Sequence, residues 1–308
     1  MKKIPIIFQL EEEIFYLFSF LNLIGYDKEN NPGGMHPLRK FIRQELKDVL
    51  EIYRYSLLKD YLSRKHQGQF VQWLLRKKYI PEELANMYSK KDLSFFQKFD
   101  KLFRKFVNKE REILSWSEAK KFYLIEKKNH YRKIVKELHN LIKALNIDFN
   151  LLNLDKVVIV PNFLDAYNWG YGPKIGKTAF IVYGPLKNED FRLITHEFLH
   201  SVVHSLLLNN KIFLRKIKKF FKDTRPKEQL KKKGYDDWTV IIEEYFVRAI
   251  NIKSQRLSLK EKRKLLEQEK KRGFKYIERI YIKLKKNYKR NEILKNILDN
   301  IEAFVPSQ

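Results

Sequence analysis

The sequence predicts an α+β protein that is mostly helical, and two observations carry the prediction. Apolar residues recur at helical spacing over nearly all of the chain on either side of residues 148–185. Within 148–185 the pattern changes to β-branched and aromatic runs around a stretch rich in Gly, Pro and Asn, the composition of a small sheet. With 308 residues and 44% hydrophobic content, the chain can bury one large core or two smaller ones. No internal repeat or low-complexity linker divides it. We expect a helical N-terminal region over 1–147 and a second region over 148–308, holding the sheet and a basic helical C-terminal segment, packed together as one unit.

Each element has its own signal. Residues 8–24 read as an apolar helix stopped by Gly25, and the loop 27–37 holds Pro32-Gly33-Gly34. Helices are expected at 38–62, 69–79, 81–88, 93–108 and 117–145; the third has Pro81 at its first position, where the missing N–H costs nothing. Val157-Val158-Ile159-Val160 and Thr178-Ala179-Phe180-Ile181-Val182-Tyr183 are expected strands. The intervening Asn168-Trp169-Gly170-Tyr171-Gly172-Pro173 suggests that they pair antiparallel through a long hairpin loop. The apolar run 191–208 is the next helix. A basic connector, a helix over 236–252 and a basic amphipathic region over 258–304 complete the chain.

The net charge is +27, which admits a nucleic-acid or anionic-membrane partner. Basic residues are nevertheless spread along the whole chain, densest over 211–233 and 260–290, without an arginine–aromatic RNA pattern. A lysine-rich solvated surface is therefore favoured over nucleic-acid binding. The run of roughly 18 apolar residues that a membrane span needs does not occur. Residues 1–8 imitate the start of a signal peptide, but the apolar part is short and meets Glu11, Glu12 and Glu13, so a cytoplasmic location is expected. The absence of cysteine excludes disulfides, thiolate metal ligands and a Cys nucleophile.

The apolar run 191–208 carries His196-Glu197-Phe198-Leu199-His200, an H-E-x-x-H pattern. Positions four apart share a helix face, so both imidazoles can reach one metal ion at about 2.0–2.1 Å. Glu197 follows the first imidazole and is expected at the open coordination position, where it can take a proton from water. Those are the needs of a zinc hydrolase with one Zn²⁺ per chain. A small sheet, then this helix, then a second helix is the order in which zincin-type metallopeptidases are built. On that analogy Thr178–Tyr183 is a candidate edge strand for binding an extended peptide, with an ordinary core strand as the competing reading.

A catalytic zinc usually has three protein ligands. A metzincin would need His and Gly where Leu206 and Val203 stand, which removes that class. Downstream, 238–250 is apolar almost all round and holds two adjacent carboxylates, Glu243 and Glu244. Helical phase does not choose between them, because they flank the Trp238/Ile242/Tyr245/Ala249 stripe on opposite shoulders, and Asp236 and Asp237 are further alternatives. Arg248, four residues after Glu244, can orient a ligand carboxylate, bind a substrate carbonyl or carboxylate, or form a simple ion pair. Tyr235, Arg248 and Tyr171 are candidate donors to an oxyanion. His204, two turns after His196, can line a subsite or hydrogen-bond a group behind the ligands. His130 and His139, nine apart on a basic helix, read as solvated surface; His36 and His66 carry no signal.

These pieces resemble the DUF4932 family, a domain of unknown function whose members look like zincin-type metallopeptidases. The matching residues are Leu21-Asn22-Leu23-Ile24-Gly25-Tyr26, Tyr171-Gly172-Pro173 with the strand ending in Gly184-Pro185, His196-Glu197-Phe198-Leu199-His200-Ser201, and Glu244-Tyr245-Phe246-Val247-Arg248-Ala249-Ile250. The resemblance implies a zincin-like core, with Glu244 as third ligand and the preceding residue, commonly Asn in the family, replaced here by Glu243. It implies a gluzincin-type peptidase acting on a peptide or protein substrate, with Glu197 as general base and acid. The connector 209–234 then reads as an insertion, either a lid or basic exosite or a plain solvated loop. The alternative function is a basic nucleic-acid or polyanion-binding protein with a structural or relic metal site.

Overall fold

The computed structural model describes residues 4–24, 34–47, 49, 67–187, 189–208, 230 and 238–287. These are mostly helical, with one small mixed sheet. They form two compact units, each discontinuous in sequence. One is Pro5–Ile134 with Lys156–Leu193; the other is Met1–Ile4 with Val135–Asp155 and Ile194–Gln308.

The first unit holds the sheet. Its strands are β1 (Ile6–Phe8), β2 (Lys156–Pro161), β3 (Gly170–Tyr171), β4 (Lys174–Ile175) and β5 (Thr178–Tyr183). β2 pairs parallel with β1 and with β5, while β3 and β4 pair antiparallel with β5. The expected antiparallel hairpin of β2 and β5 therefore does not form. The connection 162–177 is long enough to bring the chain back for a parallel pairing, and its short strands β3 and β4 take the antiparallel place instead. β5 consequently has a neighbour on each side and is no edge. Of the two readings of Thr178–Tyr183, the edge strand fails on that ground and the core strand holds: its run Ala179–Val182, fully buried like Val157–Val160, is the signature of an internal strand.

β1 is not among the expected elements: it ends on Phe8, where the expected helix over 8–24 begins. Ile6 and Ile7 are β-branched and extended, and α1 (Glu12–Leu23) starts later, with Glu12 and Glu13 in its first turn, where acidic groups suit the helix dipole. Gly25 lies outside the described residues. α2 (Pro37–Glu45) is capped by His36, whose Nδ1 accepts the Leu38 N–H at 3.2 Å; the rest of the expected helix to residue 62 lies largely outside the described residues. α3 (Gln67–Tyr79) agrees with expectation. Over 81–88 a single 3₁₀ turn, Pro81–Glu83, precedes α4 (Leu84–Met87), in place of one continuous helix. α5 (Lys90–Glu110) and α6 (Trp116–Leu145) follow. The core of this unit is aromatic: Phe20 of α1 meets Phe99, Phe103 and Phe106 of α5. Gly184 passes so close to the Ala166 carbonyl that a Cβ would sit 2.2 Å from its oxygen, which explains a glycine at this motif position.

The second unit carries α7 (Arg192–Leu208, from Ile194 onward), α8 (Trp238–Ser254), α9 (Leu259–Lys271) and α10 (Ile277–Asn287). α7 and α8 are buried around most of their circumference, as their predominantly apolar composition requires. α8 packs on α9 and α10. α9 opens on a capping box, in which Ser258 accepts the Glu261 N–H and the Glu261 side chain accepts the Ser258 N–H. It closes on a Schellman turn: the Phe274 N–H bonds the Glu269 carbonyl and the Gly273 N–H bonds that of Lys270, with Gly273 at φ +111°. Residues 236 and 237 and the connector 209–234, Leu230 apart, lie outside the described residues. Among the described residues, no helix is long and apolar enough to cross a membrane.

Candidate metal centre

Four-residue spacing places His196, His200 and His204 along one face of α7, and α8 brings two carboxylates to that face. The Nε2 atoms of His196 and His200 are 3.3 Å apart. Glu244 puts Oε1 at 3.5 Å from His200 Nε2 and Oε2 at 3.7 Å from His196 Nε2. One atom from each of the three residues thus lies within 4.8 Å of the others. A tetrahedral cation about 2.0–2.1 Å from each donor would hold the donors about 3.3–3.4 Å apart. The set therefore fits a metal ion with little adjustment.

The neighbouring carboxylate takes a different place. Glu243 sets Oε1 at 2.7 Å from His200 Nδ1 and Oε2 at 2.8 Å from His204 Nδ1. A carboxylate at Nδ1 keeps a hydrogen there, so the nitrogen that His200 can offer to a proton or a cation is Nε2, the atom turned towards His196 and Glu244. Two imidazole lone pairs 3.3 Å apart repel unless a proton or a cation lies between them. Tyr235, Asp236 and Asp237 lie outside the described residues.

The charges match this geometry. Burial holds His196 well below the ordinary imidazole range, against the pull of Glu244. For His200 burial also opposes the charge, but Glu244 and Glu243 outweigh it and raise its pKa well above the ordinary value. Burial likewise works against Glu244, yet Arg248 and His200 keep it ionised far below the usual carboxylate range. Glu197, buried beside His196, is pushed up to about 7, chiefly by desolvation. Without a metal, His200 carries the compensating proton; a divalent cation can replace it.

Arg248 supports Glu244 and does so from behind. Its Nε donates to Glu244 Oε2 at 2.7 Å and its Nη1 to Glu269 Oε2 at 2.7 Å, with the guanidinium 4.4 Å over the ring of Phe274. Arg272 donates to the other oxygen of Glu269. Glu269 and Phe274 are residues that sequence reasoning missed. Nothing in the surface-like run around Glu269 marks it; α9 carries it to Arg248, and the turn at Gly273 brings Phe274 there. Thr195 and Asn251, both buried, join α7 to α8 through a 2.9 Å hydrogen bond and were also unforeseen.

Of the remaining candidates, Tyr171, His130 and His36 belong to the sheet-containing unit and His139 to the other. The Tyr171 hydroxyl donates to Gln67 at 3.0 Å, and its ring packs on Phe18. His130 is half-buried and paired with Glu126 at 2.7 Å, so the solvated reading is corrected for it; Glu126 also accepts from the buried Tyr183 hydroxyl. His139 is exposed, as expected. His36 is the α2 cap, and His66 lies outside the described residues.

Comparison with known proteins gives one match. A family model described as "Domain of unknown function (DUF4932)" covers residues 95–307, about two-thirds of the chain. That span contains the Tyr171, Gly184, His196 and Glu244 segments and leaves out Leu21–Tyr26. No curated protein and no solved structure matches.

Proposed function

The chain belongs to the DUF4932 family, and from that premise we propose that it is a zinc-dependent metallopeptidase of gluzincin type with a zincin-like core. Its substrate is a peptide or protein. The observation that carries the reading is the convergence of His196, His200 and Glu244 within 4.8 Å, next to a buried Glu197. His196, His200 and Glu244 would hold the zinc, which supplies a Lewis acid for activating water and polarising a scissile carbonyl.

The chain's own groups do the rest. Glu197, with a pKa raised to about 7, can accept a proton from the attacking water and release it to the leaving nitrogen. The new C–O bond replaces the C–N bond, and the amine departs with that proton. Arg248 holds Glu244 anionic and oriented, while Glu269 and Phe274 hold Arg248. Tyr235 is proposed as a further donor to the oxyanion, a role in which Arg248 is limited by its two carboxylate partners.

Metal analysis and a peptide library test this. About one equivalent of zinc is expected in the wild type and none in His196→Ala, His200→Ala or Glu244→Ala. Glu197→Gln should keep the zinc and lose at least about 100-fold in cleavage rate. A wild type without zinc, or cleavage that survives Glu197→Gln, would overturn the assignment.

One observation favours a second reading. Lys98, Lys101, Arg104, Lys105 and Lys109 line a groove of about 850 Å³ along α5, a feature suited to a polyanion. That reading requires nucleic-acid affinity that falls steeply with salt and is indifferent to substitution of His196, His200 and Glu244.

A further inference from the structure

Glu243, like Glu197, stands outside the donor set, and both of its oxygens are engaged by imidazoles of α7. We infer that Glu243 is a positioning residue that sets the tautomer and ring orientation of His200, and that His204 serves to hold Glu243. The inference rests on the metal-site reading above and adds to it the residue that makes one ligand competent.

The argument is geometric. An imidazole offers a metal whichever nitrogen has no hydrogen, and a free imidazole exchanges between the two forms. Glu243 Oε1 at 2.7 Å from Nδ1 selects the form with Nε2 bare, and Nε2 is the atom 3.3 Å from His196 and 3.5 Å from Glu244. The second oxygen would be free to rotate away were it not for His204, one turn further along α7, whose Nδ1 lies 2.8 Å from it. Each oxygen therefore has its own partner, and the carboxylate plane cannot turn without breaking a bond.

A second consequence follows from where the pair lies. The ligands come from two different helices, so the gap between α7 and α8 sets the size of the metal site. Thr195, before the first ligand, bonds Asn251 late in α8, whereas His204, after the second ligand, bonds Glu243 early in α8. The two contacts bracket the donor set at either end of an antiparallel crossing. A neutral amide at 243 could keep a hydrogen bond to Nδ1, but it would not lend the imidazole the extra basicity that a carboxylate does. Charge as well as shape is thus expected to matter.

Zinc affinity, measured by competition with a chromogenic chelator at neutral pH, and the visible spectrum of the cobalt-loaded protein test the inference without reference to turnover. Glu243→Ala should bind zinc about 10- to 100-fold more weakly than the wild type, Glu243→Gln about 10-fold, and His204→Ala several-fold. Glu243→Ala and Glu243→Gln should also alter the cobalt bands, a change that loosened packing remote from the metal would not produce. Should Glu243→Ala fail to fold, the near-isosteric Glu243→Gln decides. Affinities within about twofold of the wild type in a folded Glu243→Gln, with an unaltered cobalt spectrum, would overturn the inference and leave the metallopeptidase reading standing. A wild type that binds no zinc would overturn both.

Discussion

Glu243 and Glu244 differ by one position and by about 100° of helix, and that rotation separates the carboxylate that bonds His200 Nδ1 from the one that faces Nε2 of both imidazoles. Helical phase could not make that choice, because it depends on which shoulder of α8 faces α7; the family resemblance alone singled out Glu244. The H-E-x-x-H pair was legible because its geometry is local to one helix. His36 shows the opposite case: as a loop residue before Pro37 it carried no signal, yet it caps α2 and stacks on Phe163 at 4.5 Å. Burial lowers its pKa to about 4 from 6.5. Between those values the unfolded chain binds more protons than the folded one, so stability from this group is complete above pH 6.5 and lost as pH falls towards 4. Protonation also removes the Nδ1 lone pair that accepts the Leu38 N–H. Thermal midpoints of the wild type should therefore drop more steeply over that window than those of His36→Asn, which keeps a cap that cannot titrate. Parallel curves for the two proteins would refute this account.

At the level of elements, the helical stretches were legible wherever a 3.6-residue apolar period ran long, as in α3, α5 and α6. The sheet was legible as composition but not as topology. β2 and β5 are short apolar runs without alternation, a pattern that suits parallel internal strands, but the Gly/Pro/Asn-rich stretch between them reads as a hairpin loop. The short turn after α9 has the largest consequence for the site among the features the sequence left unmarked. Gly273 at φ +111° turns the chain so that Phe274 is buried beneath Arg248, whose guanidinium Glu269 reaches from α9. Gly273→Ala should cost about 1 kcal/mol or more through left-handed strain. It should also weaken zinc binding, since Arg248 would lose its support. A variant with unchanged zinc affinity and unchanged thermal midpoint would show that the turn has no part in the site.

For the molecule as a whole, a metal shared by α7 and α8 would tie together helices that the connector 209–234 separates in sequence. Binding to the folded chain alone adds RT ln(1 + [L]/Kd), about 2.7 kcal/mol at a free zinc concentration 100 times Kd. Removing the metal with a strong chelator should lower the thermal midpoint, and restoring zinc should recover it; the same treatment should leave Glu244→Ala unmoved. An equal response of wild type and variant would place the metal elsewhere. The sequence by itself determined the mostly helical character, the site of the sheet, the two imidazoles and the carboxylate of Glu197 beside the first of them, since each depends on spacing within one element or on composition. Only the tertiary structure decided the parallel register of β2 and β5, the choice of Glu244 to face the imidazoles, the clamp of Glu243 between His200 and His204, and the support of Arg248 by Glu269 and Phe274. Each of those depends on how one helix or strand is rotated against another distant in sequence, and a rotation of that kind leaves no period in the chain to be read.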